Sequence, residues 1–241
     1  MIVPIEGHDD GVRLQSMAVR RTWIVLASLA IIGVASPTAA RHGGWRPSER
    51  KYPYQGIDVS HHQGHIKWAK LPRQGVDFAY IKATEGSDHV DRRFSINWHA
   101  AHHAGVHRGA YHFFGLCSSG QAQAANFVRT VPYDAAALAP AVDLEFPGNC
   151  KRRPSRAKVH RELGDFLRIV EARYGKHAVL YLTPHFDKRY KISATFNRPL
   201  WLRSIKSKPK FGARPWHMWQ ASYTRRLHGV RGHVDWNVAA R

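Results

Sequence analysis

Cysteine is scarce in this 241-residue sequence, which contains only Cys117 and Cys150. It has no CxxC pair and no Cys/His spacing typical of a zinc site, so structural zinc and cytosolic redox chemistry are disfavoured. The 17 histidines do not change this, because His103 and His107, at helical spacing, are interrupted by Gly105. A metal site would also need an ordered second shell of partners. We therefore expect no metal and no cofactor.

Acidic residues are also few, with 17 Asp and Glu against 37 Lys and Arg, giving a formal net charge of +20. Such a charge indicates polyanionic surroundings: nucleic acid, anionic lipid or an acidic cell-wall polymer. No run of Lys and Arg exceeds three residues, and no zinc-finger or RNP-like motif is present. These absences disfavour a nucleic-acid-binding protein, and we expect no nucleic-acid partner.

The sequence lacks an apolar run of comfortable membrane-spanning length, but a shorter one lies near its N-terminus. Residues 23–36, WIVLASLAIIGVAS, are preceded by Arg20 and Arg21 and followed by small residues. A basic flank, a short apolar core and small residues before a polar stretch are typical of a secretory signal peptide. We therefore interpret residues 1–40 as a signal peptide, with an uncleaved anchor as the minority alternative.

Several details of this N-terminal region stay open. Ala40 is a plausible cleavage position, and Ala35 also fits the pattern. Met17 is an alternative true start, because the segment before it is polar and acidic, unlike the basic start of a signal peptide. Residues 41–53 are interpreted as a flexible lead-in. Export to the periplasm or beyond the cell would permit a disulfide between the two cysteines.

Eight short β-prone runs alternate with helical patterns from residue 54 onward. Apolar residues recur at helical spacing near 94–101 and 124–131, and a third helix is predicted from Ser155 as N-cap to about Gly175. Strands separated by helices favour parallel βαβ units. The sequence therefore predicts an α/β fold, an irregular (β/α) barrel of the TIM type with about eight strands and fewer helices, least regular near its last three strands. The runs are 55–60, 78–84, 109–114, 140–145, 178–183, 200–205, 216–222 and 233–237.

Acidic residues are placed at the expected functional end of this barrel. Asp143 and Glu145, two residues apart on one strand, point to the same face. Asp58 lies near the end of the first run and Asp235 lies within the eighth. Paired carboxyl groups at a solvent-reached mouth suit glycoside hydrolysis, which needs a protonated acid and a second negative group. An exposed polar edge of the strand is the structural alternative for the Asp143–Glu145 pair alone.

The motifs that carry these residues resemble glycoside hydrolase family 25 lysozymes, in sequence order from about Gln55 to Asn237. The resemblance implies a catalytic domain at residues 54–241 that cleaves the β-1,4 bond between N-acetylmuramic acid and N-acetylglucosamine in peptidoglycan. It implies that Glu145 is the general acid and that Asp143 assists, either by orienting the substrate acetamido group or as nucleophile. Asp58 and Asp235 would tune the pair and bind sugar hydroxyls. The matching segments are GIDVSHHQGHIKW, FAYIKATEG, GAYHFF, DLE, VLYLTP, WQAS and GHVDWN.

The same resemblance implies that Tyr111, Tyr181, Trp219 and Gln220 line the sugar groove. Aromatic rings pack on the apolar faces of pyranose sugars, although simple barrel packing is an almost equal alternative for Tyr111. Arg203 departs from the family pattern, which usually has a small residue there, and its charge would alter one subsite.

Two further expectations concern the cysteines and the partners. Cys117 and Cys150 follow the third and fourth strands, whose loops leave the same barrel face, so we predict a disulfide between them. We expect a monomer that binds peptidoglycan glycan strands and, through its basic surface, anionic cell-wall polymers. A non-catalytic glycan-binding module on the same fold is the alternative function, and the four carboxylates disfavour it.

Overall fold

The computed structural model describes residues 45–240, so the predicted signal peptide and residues 41–44 lie outside the described residues. Within the described residues there are nine strands: β1 Gln55–Val59, β2 Phe78–Glu85, β3 His89–Val90, β4 His107–Phe113, β5 Ala141–Leu144, β6 Val179–Leu182, β7 Leu200–Arg203, β8 Met218–Arg225 and β9 Val234–Ala239. They form one sheet in the order β1-β9-β8-β7-β6-β5-β4-β2-β3, and β1 also pairs with β2. The pairing of β1 with β2 closes every strand except β3 into a barrel and leaves β3 as an added edge strand.

Each predicted β run overlaps a barrel strand, which confirms the barrel expected from the sequence. The unpredicted strand, β3, has only two residues and pairs antiparallel with the end of β2. A strand this short carries no period-2 signal, because alternation needs at least four residues to be recognised.

One strand departs from the parallel arrangement that we expected. β9 is antiparallel to both of its neighbours, β8 and β1. Only residues 226–233 connect it to β8, and a parallel crossover requires about a dozen residues or more. The reversal has a functional consequence, because the beginning of β9, rather than its end, lies at the mouth where the parallel strands end.

In the described part of the chain, five α-helices surround the barrel: α1 Phe94–His103, α2 Gly120–Thr130, α3 Arg156–Tyr174, α4 Pro184–Tyr190 and α5 Ile192–Thr195. The first three match the predicted helical patterns. Ser155 caps α3 by accepting a hydrogen bond from the Lys158 amide, and Gly175 ends it with φ of 66°. Such a left-handed C-terminal residue is ordinarily glycine. The two short helices α4 and α5 were not predicted, because neither repeats an apolar stripe over several turns.

The core is divided by the barrel wall. Side chains on the outer face of the strands pack against the helices, as Ile57, Val142 and Leu180 do. Side chains on the inner face form a separate cluster that fills the barrel below its mouth. This alternation follows from the period of two along each strand. The inner cluster comprises Phe78, Tyr80, Ala141, Val179, Tyr181, Trp201 and Met218.

The described part of the predicted lead-in, residues 45–53, makes specific contacts with the barrel. The Trp45 ring centroid lies 6.2 Å from that of Trp219, and the Tyr52 ring meets Trp219 edge-on at 5.9 Å. Gln55 Nε2 donates to the Pro47 carbonyl at 3.2 Å and to the Tyr52 carbonyl at 2.7 Å. Within the described residues, no helix is both long and apolar enough to cross a membrane.

Candidate active site

Four carboxyl groups converge on the mouth of the barrel. Asp58 is on β1, Asp143 is on β5, Glu145 follows β5 directly, and Asp235 is the second residue of β9. Asp58 and Asp235 are direct partners in the register between their strands. The antiparallel direction of β9 is what brings Asp235 to this end. The structure thus brings together all four carboxylates singled out in the sequence, although only Asp143 and Glu145 are near neighbours in the chain.

A groove with two lobes crosses this mouth, and Glu145 and Asp235 line both lobes. The first lobe has a volume of about 320 Å³ and is mostly polar; the second has a volume of about 570 Å³ and has aromatic walls. These dimensions are in the range of small-molecule binding clefts. Besides the two shared residues, the first lobe includes Asp58, Ser60, His62, Lys82, Glu85 and Tyr111, and the second includes Phe146, Tyr181, Pro184, Arg203, Gln220 and Tyr223.

Burial raises the pKa values of the carboxyl groups. Loss of solvation is the largest cause for each of them. Repulsion from neighbouring carboxylates adds to it for Asp143, Glu145 and Asp235, whereas hydrogen bonds from Asn237 and Gln220 oppose it for Asp58. The pKa of Glu145 is raised to about 7, with opposing effects from Arg203 and Lys82. The pKa of Asp58 is raised to about 6, that of Asp235 to about 8, and that of Asp143 well above its usual value. The cluster therefore retains protons near neutral pH, as a proton donor requires.

Asp58 is held by two amide side chains. Its Oδ2 accepts from Asn237 Nδ2 at 2.8 Å and from Gln220 Nε2 at 3.1 Å. Trp201 Nε1 donates to Asn237 Oδ1 at 2.8 Å, and an indole N–H can only donate. This bond fixes the orientation of the Asn237 amide so that its NH₂ group faces Asp58.

The second amide is oriented in the same way. Tyr181 Oη donates to Gln220 Oε1 at 2.9 Å, which leaves the Gln220 NH₂ group facing Asp58. Both tyrosines predicted for the groove are at the site: Tyr181 lines the second lobe and Tyr111 lines the first. Carboxylate charges from Asp58 and Asp143 add to burial in raising the Tyr111 pKa well above its usual value.

Asp143 differs from Asp58 in its hydrogen bonding. Its Oδ1 is buried and accepts no hydrogen bond from any residue among 45–240. A buried polar atom without a partner is uncommon in folded proteins and needs an explanation. An acceptor without a partner, two residues from the groove-lining Glu145, is suited to a donor carried by a ligand.

Trp219 is not brought to the groove. It is buried on the outer face of β8, where its ring contacts Tyr52, Trp45 and Trp216. Its Nε1 donates to the Ser204 carbonyl at 2.5 Å. The neighbouring Gln220 points inward, so alternation along the strand sends Trp219 outward. The expectation that both residues line the groove conflicts with this alternation, and only Gln220 does so.

Sequence reasoning missed several residues of the site. Asn237 could have been found, because it lies two residues beyond Asp235 on the same strand and therefore on the same face. Trp201 and Tyr223 gave no separable signal, since single aromatic residues in strands are usually core. Lys82 lies at the first lobe, where it pairs with Glu85 at 2.6 Å and sits 5.0 Å from the Phe113 ring centroid.

The histidines considered as metal ligands have other partners. His61 Nδ1 lies 2.8 Å from Asp91 Oδ2, and its ring stacks on His62 with centroids 4.1 Å apart. His102 Nδ1 contacts Arg108 at 3.0 Å. Within residues 45–240, no group of three or more His, Cys, Asp or Glu side chains is arranged to hold a metal ion.

A disulfide joins Cys117 and Cys150, with their Cα atoms 6.1 Å apart, as the sequence predicted. The two loops are also joined by Asn149, whose Oδ1 accepts from the Leu116 amide at 2.9 Å. Its Nδ2 donates to the Phe114 carbonyl at 2.8 Å and to the Glu145 carbonyl at 3.0 Å. The disulfide and Asn149 therefore hold the backbone that carries Glu145.

Comparison with known proteins agrees with this geometry. The sequence matches the family model described as glycosyl hydrolases family 25 over residues 57–230. Lysozyme M1 of Streptomyces globisporus is 37% identical over 196 residues, which cover 76% of this chain and 66% of that protein.

Solved structures give the same result. A family 25 glycosyl hydrolase from Bacillus anthracis has a TM-score of 0.76 and 36% identity, covering 85% of this chain and 95% of its own. The bacterial lysozyme from Streptomyces coelicolor has a TM-score of 0.72 and 36% identity, covering 78% of this chain and 92% of its own.

Proposed function

The chain belongs to glycosyl hydrolases family 25, and from this membership we propose which bond it cleaves and which residues do so. It is a glycosidase of the lysozyme type that hydrolyses peptidoglycan. We propose that it cleaves the β-1,4 bond between N-acetylmuramic acid and N-acetylglucosamine. The observation that carries the proposal is that Glu145 lines both lobes of the groove. A glycan strand lying across both lobes would present one glycosidic oxygen to that side chain.

Glu145 acts as the general acid in this proposal. Its raised pKa, about 7, leaves a substantial protonated fraction at neutral pH. Transfer of that proton to the glycosidic oxygen lets the bond from the anomeric carbon to the leaving sugar break. The Glu145 carboxylate then takes a proton from the water that attacks the anomeric carbon, which restores the acid.

Asp143 assists by binding the acetamido group of the sugar. The open Oδ1 atom accepts the acetamido N–H, so that the acetamido carbonyl oxygen bonds to the anomeric carbon as the leaving group departs. Water opens the resulting oxazolinium ring and restores the acetamido group with retained configuration. A direct attack by Asp143 on the anomeric carbon is the alternative, and it would leave the acetamido N–H without this acceptor.

Asp58 and Asp235 are assigned to charge tuning and to sugar hydroxyls. Both raise the pKa of a neighbouring carboxyl group, Asp58 that of Glu145 and Asp235 that of Asp143. Asp235 also lines both lobes, so a sugar on either side of the scissile bond would lie within reach of its carboxyl group.

Digestion of purified peptidoglycan tests the proposal. The wild type should release fragments whose new reducing ends are N-acetylmuramic acid, identified by mass spectrometry after reduction. Glu145→Gln keeps the shape and removes the proton donor, so we expect a loss of about 10²–10⁴-fold in rate with glycan binding retained. The exposed Glu49→Gln is the matched control. Reducing ends on N-acetylglucosamine, or a Glu145→Gln rate within tenfold of wild type, would refute the assignment.

We also propose that the basic surface binds anionic cell-wall polymers. Three arginines beside the groove rim are held together without an acidic partner. Arg156 donates to the Arg189 carbonyl at 3.2 Å and Arg189 donates to the Arg153 carbonyl at 3.5 Å. Within residues 45–240 none of the three forms an ion pair. All three side chains are exposed, so an anionic polymer could approach them and neutralise their charge.

Adsorption to intact sacculi tests this surface. Binding should weaken steeply with salt, because exposed charges are screened beyond about 8 Å at physiological ionic strength. Replacing Arg153, Arg156 and Arg189 together with Gln should reduce binding more than replacing Lys67, Lys70 and Arg73, which removes the same charge elsewhere. Equal losses, or binding that is independent of salt, would contradict the proposal.

Export as a monomer completes the proposed function. The N-terminal pattern of residues 1–40 and the Cys117–Cys150 disulfide both support passage to an oxidising compartment. Fractionation of the cells that produce the protein would test the location. Light scattering of the purified chain would test the monomeric state.

A further inference from the structure

Arg203 places a guanidinium group in the wall of the second lobe. It is the last residue of β7, pairs in register with Gln220 on β8, and is partly exposed. Its Cζ atom lies 5.8 Å from the ring centroid of Tyr223, whose side chain is 51% exposed. A cation at cation–π distance from an exposed ring, in the same lobe as Glu145 and Gln220, forms a polar recognition element in a lobe with aromatic walls.

The positive charge of Arg203 in the second lobe is less neutralised than that of Lys82 in the first lobe. Lys82 pairs with Glu85 at 2.6 Å, whereas Arg203 forms no ion pair with any residue among 45–240. The nearby carboxyl groups do not fully compensate it, because the raised pKa values of Glu145 and Asp235 keep them partly protonated near neutral pH. An anionic group entering the second lobe would therefore find an available cation.

We propose that Arg203 is a specificity residue that binds a carboxylate carried on the lactyl substituent of an N-acetylmuramic acid residue. The inference rests on the proposed function, because it assumes that the glycan occupies both lobes. The carboxylate has two sources with the same chemistry: the lactyl group itself in strands without peptides, or the stem peptide attached to it.

The chemistry of the side chain suits this ligand. A guanidinium group forms two parallel hydrogen bonds with a carboxylate, and such charge-assisted pairs are about twice as strong as neutral ones. A lysine would retain the charge but not the paired geometry.

Four substrates separate the possibilities. Glycan strands stripped of peptides carry free lactyl carboxylates, and converting these to methylamides removes the charge with little change of size. Peptide-bearing strands, before and after amidation of the peptide carboxylates, form the second pair. kcat/KM would be measured on all four for the wild type, Arg203→Gln and Arg203→Lys. Arg231→Gln, at an exposed position, is the control for net charge.

We expect Arg203→Gln to lower the ratio of kcat/KM on the acid form to kcat/KM on the amide form by about tenfold or more for one pair. The ratio is the readout because any change in the Glu145 pKa, which Arg203 lowers, affects both forms equally. Arg203→Lys should lower the ratio by less, and Arg231→Gln should leave it unchanged. The pair that shows the difference identifies the source of the carboxylate.

Two results would overturn the inference. Equal losses on acid and amide forms, with the pH profile shifted to higher pH, would mean that Arg203 acts only through the carboxyl cluster. No loss on any substrate would mean that its charge has no role in recognition. Failure of the wild type to cleave any of the four would instead refute the proposed function on which the inference rests.

Discussion

Asp58 and Asp235 lie directly opposite each other in the antiparallel register of β1 and β9. Like charges in opposed positions of a sheet are destabilising, and both side chains are largely withdrawn from solvent at the mouth. The pKa of Asp235 is raised to about 8, first by burial and second by the charge of Asp58. The Asp58–Asp235 pair therefore lowers the stability of the fold, while it concentrates negative charge at the mouth where we propose that the substrate binds.

Asp235→Asn should stabilise the protein at high pH. Because the folded-state pKa lies above the ordinary Asp value, the wild type is most stable below about pH 4 with respect to this group and loses that stability as pH rises towards 8. At pH 8 we expect the substitution to add about 1–2 kcal/mol, or about 2–8 °C in Tm, and at pH 4 almost nothing. Thermal unfolding at both pH values measures this. A gain of equal size at both, or a gain for the exposed control Asp88→Asn, would contradict the account.

The alkaline limb of the pH–rate profile should report Glu145. kcat/KM should fall as pH rises above about 7, where the general acid loses its proton. Lys82 lowers the Glu145 pKa, so Lys82→Met should move this limb to higher pH. The shift should shrink at high salt, since the interaction crosses a solvent-reached groove. A limb that stays in place in Lys82→Met would remove Glu145 as the group being titrated.

Asp143→Asn tests which group attacks the anomeric carbon. The variant should lose most turnover, because the negative charge beside the developing cation is gone, and its circular dichroism should match the wild type. If the acetamido group is the internal nucleophile, added azide should not restore turnover through an inverted glycosyl azide. Isolation of that product would identify Asp143 as a covalent nucleophile instead.

Asn237→Asp should impair catalysis through Asp58. Trp201 can still donate to one carboxylate oxygen, but the NH₂ group that donates to Asp58 at 2.8 Å is replaced by a second acceptor. We expect a rise in the Asp58 pKa, a loss of about tenfold or more in kcat/KM, and a lower Tm at pH 8 than at pH 5. Asn197→Asp, at an exposed position, should change none of these. Unchanged activity in Asn237→Asp would mean that the orientation of Asp58 does not matter.

Local pattern accounts for what the sequence could predict. The α3 boundaries follow from Ser155 and Gly175. The prediction that Asp143 and Glu145 lie near each other at the mouth follows from their spacing of two residues, although Glu145 lies just beyond the end of β5. Residues whose roles depend on packing between distant strands were beyond such reasoning. Trp201 orients Asn237, which lies 36 positions away in the sequence. Trp219 points outward because side chains alternate along β8 and the neighbouring Gln220 points inward. The direction of β9 could have been deduced from the short connection before it, since 226–233 cannot form a helical crossover.

Loss of the disulfide between Cys117 and Cys150 should lower the stability of the protein strongly and its activity to a smaller extent. It closes a loop of 33 residues in sequence, for which the chain-entropy model gives about 3–4 kcal/mol. The double variant Cys117→Ser/Cys150→Ser should therefore unfold about 6–16 °C below the wild type. Because Asn149 still bonds both the Phe114 and Glu145 carbonyls, the variant should keep measurable activity well below its Tm.

Reductant should lower the Tm of the wild type towards that of the variant and leave the variant unchanged. Alkylation of two thiols in natively produced, unreduced protein would show that the bridge does not form.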